Sequence, residues 1–350
     1  MNFQKIFRYL HWGWRKNGIK GLTNLIKNYW VLKEEPEIID AEILTAIIEP
    51  TIRCNLNCIT CSESIRGRTK KDMGFLEFKR ILDQFPYLIK LALQGVGEPL
   101  LNKDLLHMIH LAKEREIYVY FNSNGTILND EISFHLIQSG LDLIHFSVDG
   151  GTKEVYEKIR RGASFEDFYQ KVKRFMELKR DHPLPETHAW FVLNRYNEND
   201  LIPAAHFVKK MGIQQLYIQR MHRWGEEKKR DVESRGSGQE LAEKKRAVEH
   251  LSKEIGLSVE WLWDIEGEED SIRRCQAPWY TTYITAEGFV TPCCIHGSDP
   301  RLIHFGNIQE KPFKEIWNSM GYQEFRRALK SDHPPFICRG CPGYSQRILE

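Results

Sequence analysis

The 350-residue chain has no apolar run near the roughly 18 residues a membrane-spanning helix needs, which excludes a helical transmembrane protein. Its N-terminus lacks the continuous apolar stretch of a secretory signal. No repeat at solenoid spacing runs along it, which excludes a stacked-repeat architecture. Residues 1–33 contain no Asp or Glu. The most informative absence is local: "CNLNCITC", residues 54–61, holds Cys54, Cys58 and Cys61 with no fourth cysteine or histidine nearby. Structural zinc sites normally close with four protein ligands, and disulfide frameworks use an even number of cysteines. Three thiolates alone point to a metal centre with one coordination position left open.

The composition, 41% hydrophobic and 28% charged with net charge +2, is that of an ordinary soluble protein long enough for one large domain and a smaller one. Eight cysteines without an export signal point to reduced thiols and a cytoplasmic setting. The other five are Cys275, Cys293, Cys294, Cys338 and Cys341. Basic residues concentrate only in the first 33 positions (Lys5, Arg8, Arg15, Lys16, Lys20, Lys27, Lys33), so a nucleic-acid partner is not expected. This arm, residues 1–40, carries two helical stripes separated at Asn17-Gly18. The first is Phe3, Ile6, Phe7, Leu10 and Trp14; the second is Ile19, Leu22, Leu25, Ile26, Tyr29 and Trp30. Such stripes predict a helical cap facing the core. The alternative is docking of residues 1–33 on a partner or at the membrane periphery.

From residue 43, apolar strand-like runs at 44–52, 89–95, 117–122, 143–149, 188–194 and 213–219 alternate with amphipathic stretches such as "DFYQKVKRFMELKR". This predicts an α/β protein with a parallel sheet covered by helices. Polar and glycine-rich loops follow the strands, where parallel α/β folds bind ligands. We divide the chain into the arm, a barrel over 41–222, a charged linker and helix over 223–246, and a small α+β domain over 247–350. Within the last, "LSVEWLW" and "YTTYITAEGFVTPC" predict short antiparallel strands.

Three thiolates on a rim loop fit a [4Fe–4S] cluster whose fourth iron takes a non-protein ligand. A zinc site borrowing a distant ligand is the alternative. The next rim loop, "QGVGEP", offers close backbone approach at Gly95 and Gly97 and an acceptor for an amine at Glu98.

Together these features resemble the radical SAM superfamily, whose C-x3-C-x2-C signature follows the first strand of a partial (βα)6 TIM-like barrel. The resemblance covers about residues 43–222 and makes Cys54, Cys58 and Cys61 the cluster ligands. It places Gly95, Val96, Gly97, Glu98 and Pro99 on the S-adenosylmethionine amine, and Ser123, Asn124, Ser147 and Asp149 near its ribose and carboxylate. Two departures are Thr60, where the family commonly has an aromatic residue, and Val96, where it often has glycine. Residues 275–341 resemble the SPASM/Twitch extension, implying one auxiliary [4Fe–4S] cluster on Cys275, Cys293, Cys338 and Cys341; a four-thiolate zinc site is the alternative. Cys294 is left over, either an inert buried thiol or a hydrogen-atom donor to a substrate radical.

The resemblance implies an enzyme that cleaves S-adenosylmethionine reductively to a 5′-deoxyadenosyl radical. The radical then takes hydrogen from an unactivated C–H bond of a peptide or a small polyol or sugar-like metabolite, in an oxidation or an epimerisation. A flavodoxin- or ferredoxin-type protein would supply the electron. A non-catalytic iron–sulfur electron carrier is the competing class.

Overall fold

A computed structural model describes residues 3–61, 68–221, 238–262 and 275–338. Cys341 and linker residues 223–237 lie outside this range. Six parallel strands carry the main sheet in the places the apolar runs predict: β1 (Thr45–Ile48), β2 (Lys90–Leu93), β3 (Tyr118–Ser123), β4 (Leu143–Ser147), β5 (Glu186–Leu193) and β6 (Gln215–Arg220). Helices α2 (Phe75–Leu82), α3 (Leu105–Glu114), α4 (Asp130–Gln138), α5 (Lys153–Ile159), α6 (Phe165–Leu178) and α7 (Leu201–Lys210) alternate with them. Side-chain alternation decides the faces. In β3, Val119 and Phe121 enter the core under the helices, while Tyr118, Tyr120 and Asn122 line the concave inner face. Each fully buried side chain such as Phe121, Ile144 or Phe191 contributes roughly 1.5–3 kcal/mol.

Two features differ from the sequence reading. Helix α8 (Gly238–Ile255) leads into β7 (Ser258–Trp261), and β7 pairs parallel with β6, so "LSVEWLW" extends the barrel sheet instead of forming an antiparallel strand. Its alternating pattern reports one half-buried face and carries no information on strand direction. The second pair, β8 (Tyr283–Ile284) and β9 (Phe289–Thr291), is antiparallel as expected and turns at Gly288, which has φ +91°. However, β8 also pairs parallel with β1, and β10 (Gly306–Asn307) joins β9. One ten-stranded sheet, ordered β10-β9-β8-β1-β2-β3-β4-β5-β6-β7, therefore runs through both units.

The arm forms α1 (Phe3–Glu34), broken at Asn17 and Gly18. There the chain folds back so tightly that a Cβ on Gly21 would lie 1.9 Å from the Gly13 carbonyl oxygen. The second half docks on the core, but only Leu22 and Leu25 of the predicted stripe are half-buried. Asn24 and Asn28 face inward with Val31, each asparagine donating to the Glu42 carbonyl (2.9 and 3.0 Å), and Asn24 Oδ1 accepts from the Glu42 N–H (2.8 Å). Ile19, Ile26, Tyr29 and Trp30 are left exposed, Ile19 by 74%. Side-chain hydrogen bonds thus outrank the apolar stripe in choosing the docked face. No helix among the described residues is long and apolar enough to cross a membrane.

The C-terminal helices α10 (Phe313–Trp317) and α11 (Met320–Lys330) are tied to the rest by buried Arg326. Its guanidinium donates to the Pro278, Glu37 and Trp317 carbonyls at 2.8–2.9 Å and lies over the Trp317 and Tyr322 rings. Burial lowers its pKa to about 10, so it remains charged at neutral pH.

Inside the barrel, His145 sits among Tyr120, His188, Trp190 and Tyr217 at 5.0–5.9 Å between ring centroids. Burial, with help from His188 and Lys90, lowers its pKa to about 3, and its Nδ1 is 2.9 Å from Asn122 Oδ1. Folded His145 therefore stays neutral while an unfolded histidine protonates below about pH 6.5. The stabilising contribution is complete above that pH and falls as acid is added, with a slope approaching about 1.4 kcal/mol per pH unit. Denaturant titrations at pH 7, 6 and 5 should show this loss, and His145→Gln should flatten it; an unchanged slope would mean His145 is already protonated in the folded state.

Candidate active site

The strand ends converge on the loop that carries the three cysteines. Leaving β1, Thr51 Oγ1 donates to Asp72 (2.6 Å), and Arg53 grips the same carboxylate through Nε (2.8 Å) and Nη2 (2.5 Å). The loop is then held by backbone bonds to the end of α5, from the Asn57 N–H to the Arg161 carbonyl (2.9 Å) and from the Ile59 N–H to the Ile159 carbonyl (3.0 Å). Cys61 closes a turn on the Cys58 carbonyl (3.3 Å). Burial pushes the Cys54 and Cys58 thiols up; at Cys58 the Arg160 guanidinium opposes this, with Nη1 4.0 Å from the sulfur. Burial of this kind disfavours the thiolate, and a coordinated metal, like the nearby guanidinium, is a source of compensating charge. None of the described cysteines forms a disulfide.

The "QGVGEP" loop lies directly on the cysteine loop. A Cβ on Gly97 would sit 2.2 Å from the Thr51 carbonyl oxygen and 2.7 Å from that of Arg53, and the Glu98 N–H donates to the Arg53 carbonyl (2.8 Å). No side chain fits there, so the glycine is required by contact. The Val96 N–H donates to Glu49 Oε1 (3.0 Å), and Pro99 opens a short 3-10 turn.

Glu98 is not the open acceptor the sequence suggests. Its buried carboxylate accepts from Ser123 Oγ (2.8 Å), the Asn124 N–H (2.7 Å) and the Leu100 N–H (3.2 Å). Burial raises its pKa, and these hydrogen bonds oppose the shift. A carboxylate has about four acceptor positions, so roughly one remains for a ligand. Asn124 is likewise engaged, its Nδ2 reaching Asn55 Oδ1 (3.0 Å) and standing 3.9 Å from Cys54 Sγ. Ser147, at the end of β4, makes no side-chain hydrogen bond with another described residue.

Asp149 also proves to be internally bound. One oxygen accepts from the Val192 N–H (2.9 Å), and the other pairs with Arg160 (2.6 Å). Arg160 is the residue the sequence reading missed. Burial works against its charge, but Asp149 and Cys58 more than reverse that and raise its pKa. Its buried Nε has no hydrogen-bond partner among the described residues, which leaves a donor at the cluster loop suited to an anionic group. The Gly97 cradle, the remaining Glu98 acceptor and this donor fit a zwitterionic amino-acid moiety beside Cys54 and Cys58, although no three His, Cys, Asp or Glu side chains among the described residues converge closely enough to hold a metal ion.

In the C-terminal unit, Cys275, Cys293 and Cys294 all act electrostatically on Tyr280, at the end of α9 (Ala277–Tyr280). The segment 296–298, just after Cys293, packs against 336–338, which brings Cys338 alongside. The Gly297 N–H donates to Cys293 Sγ (3.3 Å). Cys293 and Cys294 share Tyr280 as a neighbour; Cys294 also acts on Tyr120 of the inner barrel face and on Tyr283, and Cys293 on Tyr322.

Residues 48–208 match the family model of the radical SAM superfamily, and residues 275–342 match that of the SPASM iron–sulfur cluster-binding domain. A curated relative, the tungsten-containing aldehyde ferredoxin oxidoreductase cofactor-modifying protein of Pyrococcus furiosus, is 25% identical over 84% of this chain and 86% of its own. PqqA peptide cyclase of Gluconobacter oxydans is 27% identical over 85% of this chain and 82% of its own. In structure the chain is similar to Streptococcus suis SuiB bound to S-adenosylmethionine, with TM-score 0.69 and 16% identity over 93% of this chain and 76% of that one. The cysteine loop seated against a glycine–glutamate loop, with a second cysteine unit on the same sheet, places this chain in the radical SAM superfamily as a member with a SPASM-type auxiliary iron–sulfur domain.

Proposed function

We propose that this chain is a radical SAM enzyme that modifies a peptide by removing hydrogen from an unactivated C–H bond. The observation that carries this reading is the joint seating of the cysteine loop, the Gly97 cradle and the Arg160 donor at one rim, above an inner face lined by aromatic side chains. The peptide assignment is supported by relatives and a structural neighbour described as acting on or binding peptides: PqqA peptide cyclase and SuiB bound to precursor peptide SuiA.

When bound, a [4Fe–4S] cluster and S-adenosylmethionine supply one-electron cleavage of a sulfonium C–S bond and a carbon radical able to take hydrogen. The protein's contributions are positional. Cys54, Cys58 and Cys61 hold the cluster, Gly95–Pro99 holds the amine, and Arg160 with Ser147 orients the carboxylate. Cys275, Cys293, Cys338 and Cys341 hold the auxiliary cluster, and a flavodoxin- or ferredoxin-type protein delivers the electron. The barrel wall keeps substrate in line with the radical and excludes water.

Anaerobically reconstituted protein should carry about eight iron atoms, and changing Cys54, Cys58 and Cys61 together to Ala should leave about four. Cys58→Ala should abolish release of 5′-deoxyadenosine, and short peptides should raise that release in the wild type where polyols do not. Release that survives Cys58→Ala would overturn the assignment.

A second reading concerns the outcome of the reaction. Cys294 acts on Tyr120 of the inner barrel face, which favours a thiol that returns hydrogen to a substrate radical, hence epimerisation. With a processed peptide in deuterated water, the wild type should then place deuterium in the product and Cys294→Ala should lose that product; full turnover without deuterium excludes the role.

The exposed Ile19, Ile26, Tyr29 and Trp30, together with Lys20 and Lys33 on α1, also suit docking on an anionic membrane surface. Vesicles containing phosphatidylglycerol should co-float the wild type and release Trp30→Glu. Equal flotation of the two proteins, or none, would point to a protein partner instead.

A further inference from the structure

Glu49 is an acidic residue at the exit of an otherwise apolar strand, and it is fully buried. Its two oxygens serve different parts of the molecule. Oε1 accepts from the Val96 N–H of the glycine–glutamate loop (3.0 Å), and Oε2 accepts from the Ala286 N–H in the β8–β9 turn of the auxiliary unit (3.1 Å). The charge is met by Arg68, whose side chain is 1% exposed and lies just beyond the cysteine loop; Nη2 stands 2.6 Å from Glu49 Oε2. The same guanidinium donates in a fork to Glu287, from Nε to Oε1 (3.1 Å) and from Nη2 to Oε2 (2.5 Å), and Nη1 donates to the Ser298 carbonyl (3.1 Å). Gly95 is pressed against this centre, since a Cβ there would lie 2.4 Å from Glu49 Cγ and 2.6 Å from the Tyr283 hydroxyl.

One carboxylate thus spans two backbone amides, one in the cofactor loop and one in the auxiliary unit, while one guanidinium joins the end of the cysteine loop to the segment after Cys293. A buried group so placed cannot shift toward one partner without unpairing another, and an unpaired buried charge is costly. We propose that Glu49, acting with Arg68 and Glu287, is a positioning residue that couples S-adenosylmethionine binding at loop 95–99 to the seating of the auxiliary cysteine unit. The coupling rests on the cofactor reading above. It also makes a reciprocal demand: if displacing the auxiliary turn weakens cofactor binding, then cofactor binding must tighten the auxiliary turn.

Glu287 is the place to test it, because it lies on the auxiliary side and its side chain is 21% exposed, so Glu287→Gln leaves the core packing in place. Reconstituted holoprotein is compared by equilibrium binding of S-adenosylmethionine and by hydrogen exchange of the backbone amides. Glu287→Gln should keep wild-type iron content yet weaken S-adenosylmethionine binding about tenfold. It should also speed exchange across 95–99, and Glu287→Asp should recover part of the affinity. In the wild type, S-adenosylmethionine should slow exchange across 285–288, and Glu49→Gln should remove that protection. A purely structural brace would lower the melting temperature of Glu287→Gln while leaving cofactor affinity and 95–99 exchange unchanged, and that result overturns the proposal. Wild-type holoprotein that binds no S-adenosylmethionine would instead overturn the cofactor reading on which the proposal stands.

Discussion

The organisation of the rim depends on the buried Glu98 carboxylate. It draws the end of β3, through Ser123 and the Asn124 N–H, onto the glycine–glutamate loop, and that loop rests on the backbone that leads into Cys54. Two strand exits that could diverge are thereby held in contact at hydrogen-bond distance. The glycine at 97 follows from this geometry, because the Thr51 and Arg53 carbonyls already occupy the space of a side chain. A buried carboxylate that accepts several hydrogen bonds is stabilised only while all of them persist. This explains why the most chemically conspicuous acid in the loop serves chiefly as a fastener, with one acceptor position left for a ligand.

The auxiliary unit is continuous with the barrel in a similarly physical sense. It adds β8 to the first strand of the sheet, so its cysteines are referenced to the same backbone that positions Cys54, Cys58 and Cys61. Further anchors reach back to the chain before β1. Arg326 binds the Glu37 carbonyl, Gln276 donates to the Leu32 carbonyl (3.0 Å), and the Asn318 amide brackets Ile39 through its N–H and its carbonyl (2.9 Å each). The N-terminal segment therefore acts as a strap between the two cysteine-bearing units.

Much of this was legible in the residues. Apolar runs of strand length, separated by amphipathic stretches, located β1 to β6, and the cysteine spacing singled out the loop on which the glycine–glutamate loop rests. What escaped did so for identifiable reasons. The parallel direction of β7 is not encoded in an alternating pattern. The docked face of α1 is chosen by Asn24 and Asn28, whose value lies in carbonyl and amide partners far along the chain. Arg160 is one of two adjacent arginines with no distinguishing spacing, and only the fold shows that it meets Asp149 and Cys58. Glu49 did leave a trace: a lone acid directly after the apolar run that ends at Ile48 implies a buried partner. The partner, Arg68, stands beyond the cysteine loop, where sequence alone gives no reason to look.

The central claim is that the loop at 95–99 seats S-adenosylmethionine on the open iron held by Cys54, Cys58 and Cys61. Electron paramagnetic resonance of the reduced Cys275→Ala/Cys293→Ala protein isolates that cluster by removing auxiliary ligands. The account predicts a single reduced-cluster signal whose g values shift when S-adenosylmethionine is added. A signal that saturating S-adenosylmethionine leaves unchanged, or the absence of any cluster signal, would contradict it.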